Sequence, residues 1–134
     1  MATNGEIIRG VYDAFGRGDV PAVLGAFDEK IEWREAEGFR YADGNPYIGP
    51  MAVASGVFQR IVTDVSGFHL VVERMTEGGD RVVAEGRYRG TMQATGRAVD
   101  AQFAHVWELR GSKIVQFQQY TDTFQWAMAA GQAV

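Results

Sequence analysis

His105 is the one polar residue in an otherwise apolar row. From Ala98 to Arg110 the odd positions Val99, Ala101, Phe103, His105, Trp107 and Leu109 alternate with the mostly polar Asp100, Gln102, Glu108 and Arg110, the period of two of a half-buried strand. An imidazole between Phe103 and Trp107 on the inward face is either a core group satisfied by a carbonyl or a donor inside a pocket. Desolvation by the two rings depresses its pKa, whereas a nearby Glu35 or Asp122 carboxylate raises it, so the sign separates an isolated imidazole from a working pair. Glu35 poses a similar choice. It shares the face of Ile31 and Trp33, where an apolar wall raises a carboxyl pKa and makes a usable general base. It also borders a loop, where a carboxylate is ordinarily solvated. Asp122 reads as the cap of a short helix beginning near Phe124.

What the chain lacks narrows the chemistry. There is no cysteine, which removes thiolate metal sites, disulfides and a cysteine nucleophile. Ser55, Ser66 and Ser112 lie in no nucleophile-elbow pattern, and no glycine-rich nucleotide loop is present. His69 and His105 have no partner at ligand spacing, so neither a metal nor another cofactor is expected. Thirteen basic residues against seventeen acidic ones give a formal charge of −4, and the arginines are scattered, which argues against a nucleic-acid partner. The stretch Met1 to Gly10 lacks a signal-like apolar core, and no run approaches the roughly 20 apolar residues of a membrane span. A soluble, cytoplasmic protein without a membrane partner is expected.

The elements that must position these residues are legible from periodicity. Thr3-Asn4-Gly5-Glu6 has capping-box spacing, and Ile7, Ile8, Val11, Tyr12 and Phe15 follow at helical intervals. Asp19 caps a second short helix carrying Val23, Leu24 and Phe27. From Lys30 the period becomes two, then Glu37 to Pro50 reads as a long loop forming a pocket rim. Gly49-Pro50 opens a third helix with Val53, Val57, Phe58, Ile61 and Val62 inward. The remainder forms four strands, Gly67 to Thr76, Arg81 to Met92, Ala98 to Arg110 and Lys113 to Asp122, as an antiparallel meander. At 134 residues a single domain over 1–134 is expected.

The order helix, Gly18-Asp19, short helix, Phe27-Asp28-Glu29-Lys30-Ile31-Glu32-Trp33 resembles the SnoaL-like branch of the nuclear transport factor 2 superfamily, which includes ketosteroid isomerase. Pro46-Tyr47-Ile48-Gly49, His105-Val106-Trp107-Glu108-Leu109-Arg110-Gly111-Ser112-Lys113-Ile114 and Tyr120-Thr121-Asp122 extend the likeness over nearly the whole chain. The resemblance implies an α+β fold, cystatin-like or nuclear transport factor 2-like. Its cone-shaped, strongly curved antiparallel sheet has N-terminal helices packed on the concave face around an apolar pocket. It also implies a homodimer, formed through the outer strand faces that carry Gln102, Val106 and Glu108.

Carried over residue by residue, the isomerase base falls on Glu35. The isomerase tyrosine falls on Val11, leaving Tyr12 rotated by about 100° around the helix, and its acid partner falls on His105. Authentic steroid isomerisation is therefore not expected. Limonene epoxide hydrolase, a further resemblance, places its arginine and two aspartates at Gly86, Tyr88 and Gln119, which removes that activity. SnoaL-type polyketide cyclases imply an acid/base aspartate at Asp122 with His105 close by.

Alternation and the pocket together single out Tyr12, Trp33, Tyr88, Phe103, Trp107, Phe117, Gln119 and Tyr120 as ligand contacts. Register divides the last strand. A two-residue turn at Gly111-Ser112 puts Gln118, Tyr120 and Asp122 on the His105 face, while drawing Arg110 into the loop puts Val115, Phe117 and Gln119 there. Family alignment favours the second register. Two functions follow. One is a cofactor-independent isomerase, cyclase or lyase that moves a proton next to a carbonyl of a small hydrophobic substrate, using Glu35, His105 and Asp122. The other is a non-catalytic module that binds a hydrophobic metabolite.

Overall fold

Thr3 and Glu6 close the capping box, each side chain accepting from the other residue's backbone N–H, and this starts α1, Asn4–Gly16. The computed structural model describes residues 2–132. Asp19 caps α2, Val20–Gly25, by accepting from Ala22 N–H. The chain then enters β1, Phe27–Arg34, whose Phe27, Ile31 and Trp33 are buried.

The segment 37–50 holds more structure than its composition suggests. A 3₁₀ turn, Ala42–Gly44, precedes a two-residue strand β2, Tyr47–Ile48, which pairs antiparallel with β1 through Trp33 and Tyr47. Two residues are too few for periodicity to register. The third helix is broken into α3, Pro50–Val53, a π-helical stretch Ala54–Phe58, and α4, Gln59–Asp64. The wider π turn shifts the inward stripe, so Val53, Val57 and Ile61 are buried while Val62, expected inward, is exposed.

Four long strands follow: β3, Val65–Gly78; β4, Arg81–Met92; β5, Ala98–Arg110; and β6, Lys113–Thr121. They form the expected meander within one curved, unclosed sheet of order β2-β1-β6-β5-β4-β3. The β1–β6 pair is parallel, whereas every other pair is antiparallel. Helix α5, Thr123–Ala129, closes the described chain. None of the described helices is long and apolar enough to cross a membrane.

The register of β6 combines both alternatives. Arg110 pairs with Lys113, so the turn is Gly111-Ser112, with Ser112 at a φ of 66°. A bulge then skips Val115 between the Leu109/Ile114 and Glu108/Gln116 pairs. Beyond it Trp107 faces Phe117 and His105 faces Gln119. The pocket row is thus Phe117 and Gln119, brought inward by an unpaired residue rather than by a longer turn.

Candidate functional site

Helices α1 and α2, the helical run 50–64 and the concave side of the sheet enclose a cavity of about 60 Å³. Its apolar wall includes Val11, Phe15, Val23, Val57, Phe58, Ile61, Phe68 and Leu70. Its polar atoms come from Tyr12, Trp33, Glu35, Tyr88, His105, Trp107 and Gln119. The stripe that α1 turns inward is wide enough for Val11, Tyr12 and Phe15 all to reach this space. Tyr12 therefore enters the cavity although the family tyrosine aligns with Val11.

Two stacked rings form the floor beside Glu35. Trp33 and Phe117 pair across β1 and β6, with ring centroids 3.6 Å apart and planes within 19°. The Trp33 indole N–H donates to Glu35 Oε2 at 3.2 Å. The second oxygen of Glu35 has no hydrogen-bond partner among the described residues, and no described cation pairs with this carboxylate. Only 3% of Glu35 is exposed. Burial pushes its carboxyl up to about 8, with the Trp33 N–H pulling the other way.

Asn45 holds the Glu35 backbone in place. Its Oδ1 accepts from Glu35 N–H at 2.9 Å, and its Nδ2 donates to the Glu35 carbonyl at 2.7 Å. Sequence reading passed over this residue, because an Asn in a loop dense in Gly, Asp and Pro carries no distinguishing spacing.

His105 sits between two tyrosines. Its Nδ1 lies 2.6 Å from Tyr12 Oη and its Nε2 lies 2.5 Å from Tyr88 Oη. Each hydroxyl has a further donor: Trp107 Nε1 to Tyr12 Oη at 2.9 Å, and Gln119 Nε2 to Tyr88 Oη at 2.7 Å. Gln119 is oriented by Ala36 N–H, which donates to its Oε1 at 3.1 Å. Burial lowers the imidazole to about 3, the direction of an isolated imidazole rather than one beside a carboxylate. Loss of water also raises Tyr12 and Tyr88, the latter further in the field of Glu35. The network is therefore a chain of neutral donors and acceptors.

Three of the expected residues lie elsewhere. Phe103 does not reach the cavity; it stacks behind the imidazole with centroids 4.1 Å apart and planes within 18°. Tyr120 is 57% exposed and Asp122 is also exposed, both on a groove of the outer sheet surface. The cause is the β6 bulge, which sends Gln119 inward and its neighbour Tyr120 outward. Asp122 instead caps α5, accepting from Gln125 N–H at 3.1 Å. Tyr12, Trp33, Glu35, Tyr88, His105, Trp107, Phe117 and Gln119 do come together around one space. Among the described residues no three His, Asp or Glu side chains cluster as metal ligands would.

A sequence profile for the SnoaL-like domain matches residues 8–117. The chain belongs to the SnoaL-like family. Among solved structures this SnoaL-like chain is similar to a nuclear transport factor 2-like protein from Burkholderia thailandensis E264. The identity is 34%, covering 99% of this chain and 100% of that one, with a TM-score of 0.93. A second protein of that fold, from Burkholderia pseudomallei K96243, is 28% identical over 97% of this chain and 98% of its own, with a TM-score of 0.88. The third is TerC, co-crystallized with polyporic acid, 25% identical over 96% of this chain and 98% of its own, with a TM-score of 0.86. Among curated proteins none matches the SnoaL-like chain.

Proposed function

We propose that the protein is a cofactor-independent enzyme that moves a proton next to a carbonyl of a small hydrophobic substrate, as an isomerase, cyclase or lyase. The observation that carries this reading is Glu35. It is a buried carboxyl with a free oxygen, held at about 8, in a cavity it shares with the donor chain of Tyr12, His105 and Tyr88. Ionised Glu35 takes the α-proton, the C–H electron pair becomes the new C=C bond, and the carbonyl π pair moves onto oxygen. A hydroxyl of the chain donates to that oxygen as its charge grows. The proton then returns at another carbon, or the enolate carbon attacks a second carbonyl. TerC, a relative co-crystallized with polyporic acid, supports a small organic ligand in this fold.

The test is hydrogen exchange. Small ketones in D2O, followed by NMR, are expected to gain deuterium at the α-carbon faster with the protein than in buffer, and Glu35→Gln is expected to abolish the gain. Exchange no faster than buffer, together with saturable ketone binding, supports the second reading, a binding module. The cavity's 60 Å³ and its neutral groups favour that alternative. We also infer that two copies pair through the outer sheet face around Gln102, Val106 and Glu108. Light scattering that gives the mass of one chain at micromolar concentration overturns the dimer.

A further inference from the structure

Tyr12, His105 and Tyr88 share three hydrogens between two hydrogen bonds. A neutral imidazole has one N–H and one acceptor nitrogen, and each phenol has one O–H. The two contacts, 2.6 Å to Nδ1 and 2.5 Å to Nε2, each need one hydrogen. The third is left over.

Its position follows from the tautomer. When Nε2 carries the proton it donates to Tyr88, Tyr12 donates to Nδ1, and the Tyr88 hydrogen is free. When Nδ1 carries the proton it donates to Tyr12, Tyr88 donates to Nε2, and the Tyr12 hydrogen is free. Neither hydroxyl can hand its spare hydrogen elsewhere in the network, because the other neighbours are themselves donors: Trp107 Nε1 to Tyr12 and Gln119 Nε2 to Tyr88. Gln119 is held in that orientation by Ala36 N–H. Both hydroxyls belong to cavity-lining side chains, so the free hydrogen is available to an occupant.

We propose that this chain binds a small neutral ligand through one carbonyl oxygen, and that the His105 tautomer decides which tyrosine, Tyr12 or Tyr88, supplies the single hydrogen bond. His105 is thereby a positioning residue that makes the two donor sites mutually exclusive. The inference rests on the cavity being the ligand site of the proposed function, but it does not require turnover. Burial of the imidazole, which keeps it neutral, agrees with the hydrogen count.

The experiment reads the tautomer directly. The protein, labelled with ¹⁵N at histidine, is compared by two-bond ¹H–¹⁵N correlation with and without [2-¹³C]acetone, as wild type, Tyr12→Phe and Tyr88→Phe. Tyr12→Phe is expected to place the His105 proton on Nε2, and Tyr88→Phe on Nδ1. Each substitution also frees an N–H that lines the cavity, Trp107 Nε1 in Tyr12→Phe and Gln119 Nε2 in Tyr88→Phe, so the tautomer rather than the affinity is the readout. Wild type alone must show one imidazole proton, and acetone must shift the balance of its tautomers. A doubly protonated imidazole, or the same tautomer in both single variants, overturns the proposal. No acetone binding to wild type overturns the ligand assignment. Tautomer exchange and acetone binding without deuterium incorporation overturn the enzyme reading and leave this one standing.

Discussion

Glu35 and His105 line the same cavity and are discharged by the same loss of water, the carboxyl raised to about 8 and the imidazole lowered to about 3. Their effects on stability have opposite signs. Folded Glu35 holds its proton more tightly than the ordinary 4.5, so its contribution is complete below that value and is lost as pH rises through about 8. Folded His105 resists protonation, so its contribution is complete above 6.5 and is lost as pH falls through about 3. The slopes cancel between 4.5 and 6.5. Between 6.5 and 8 stability is expected to fall with rising pH, by about 1.4 kcal/mol per unit. Urea denaturation across pH is expected to show Glu35→Gln without this alkaline fall and His105→Gln without its share of the acid fall. A Glu35→Gln profile parallel to wild type refutes the assignment.

Trp33→Phe removes the one N–H that stabilises ionised Glu35. The carboxyl is expected to titrate about one unit higher than in wild type, read from the carboxyl ¹³C shift. An unchanged or lower midpoint would show that the indole does not act on Glu35.

Asp122→Ala tests the correction at the end of β6. As an exposed helix cap, its loss is expected to cost about 1 kcal/mol of stability with ketone binding and exchange unchanged. A tenfold fall in exchange in the folded protein would return Asp122 to the site.

Gly86→Ala tests how closely the strands must approach behind the site. A Cβ at Gly86 would lie 2.0 Å from the Val71 carbonyl oxygen and 3.0 Å from the Phe103 ring, and backbone cannot swing aside as a side-chain tip can. A loss of at least about 1–3 kcal/mol is expected in denaturation, along with a shifted His105 imidazole spectrum, since Phe103 backs that ring. Wild-type stability would mean the strands separate freely there.

Helix caps and strand alternation made much of this protein legible from sequence. Thr3, Glu6, Asp19 and Asp122 act through neighbours three residues away, and the inward row of β5 needs only period two. The site was legible where it lies on that row or on the β1 face, at His105, Trp107, Trp33 and Glu35. The parallel β1–β6 pairing is a meeting of distant segments that no local pattern encodes. Asn45 works through two backbone bonds available to any well-placed amide. The Val115 bulge is a one-residue offset, and such offsets leave hydrophobicity almost unchanged while reversing every face beyond them.

That offset also gives the β5–β6 hairpin a place to absorb a change in length. The Leu109/Ile114 and Glu108/Gln116 pairs leave Val115 alone between them, so excising it joins two ladders that are already aligned. Loss of Ile114 or Gln116 is absorbed in the same way, because Val115 moves into the vacated pair, whereas loss of Phe117 or Gln118 takes Phe117 from its place opposite Trp107 and beside Trp33. Thermal unfolding of a single-deletion series through β6 is expected to show tolerance at 114–116 and intolerance at 117–119. Among relatives of differing length, a one-residue gap in this strand belongs within 114–116. The pocket end of the hairpin is thereby insulated from drift at its turn.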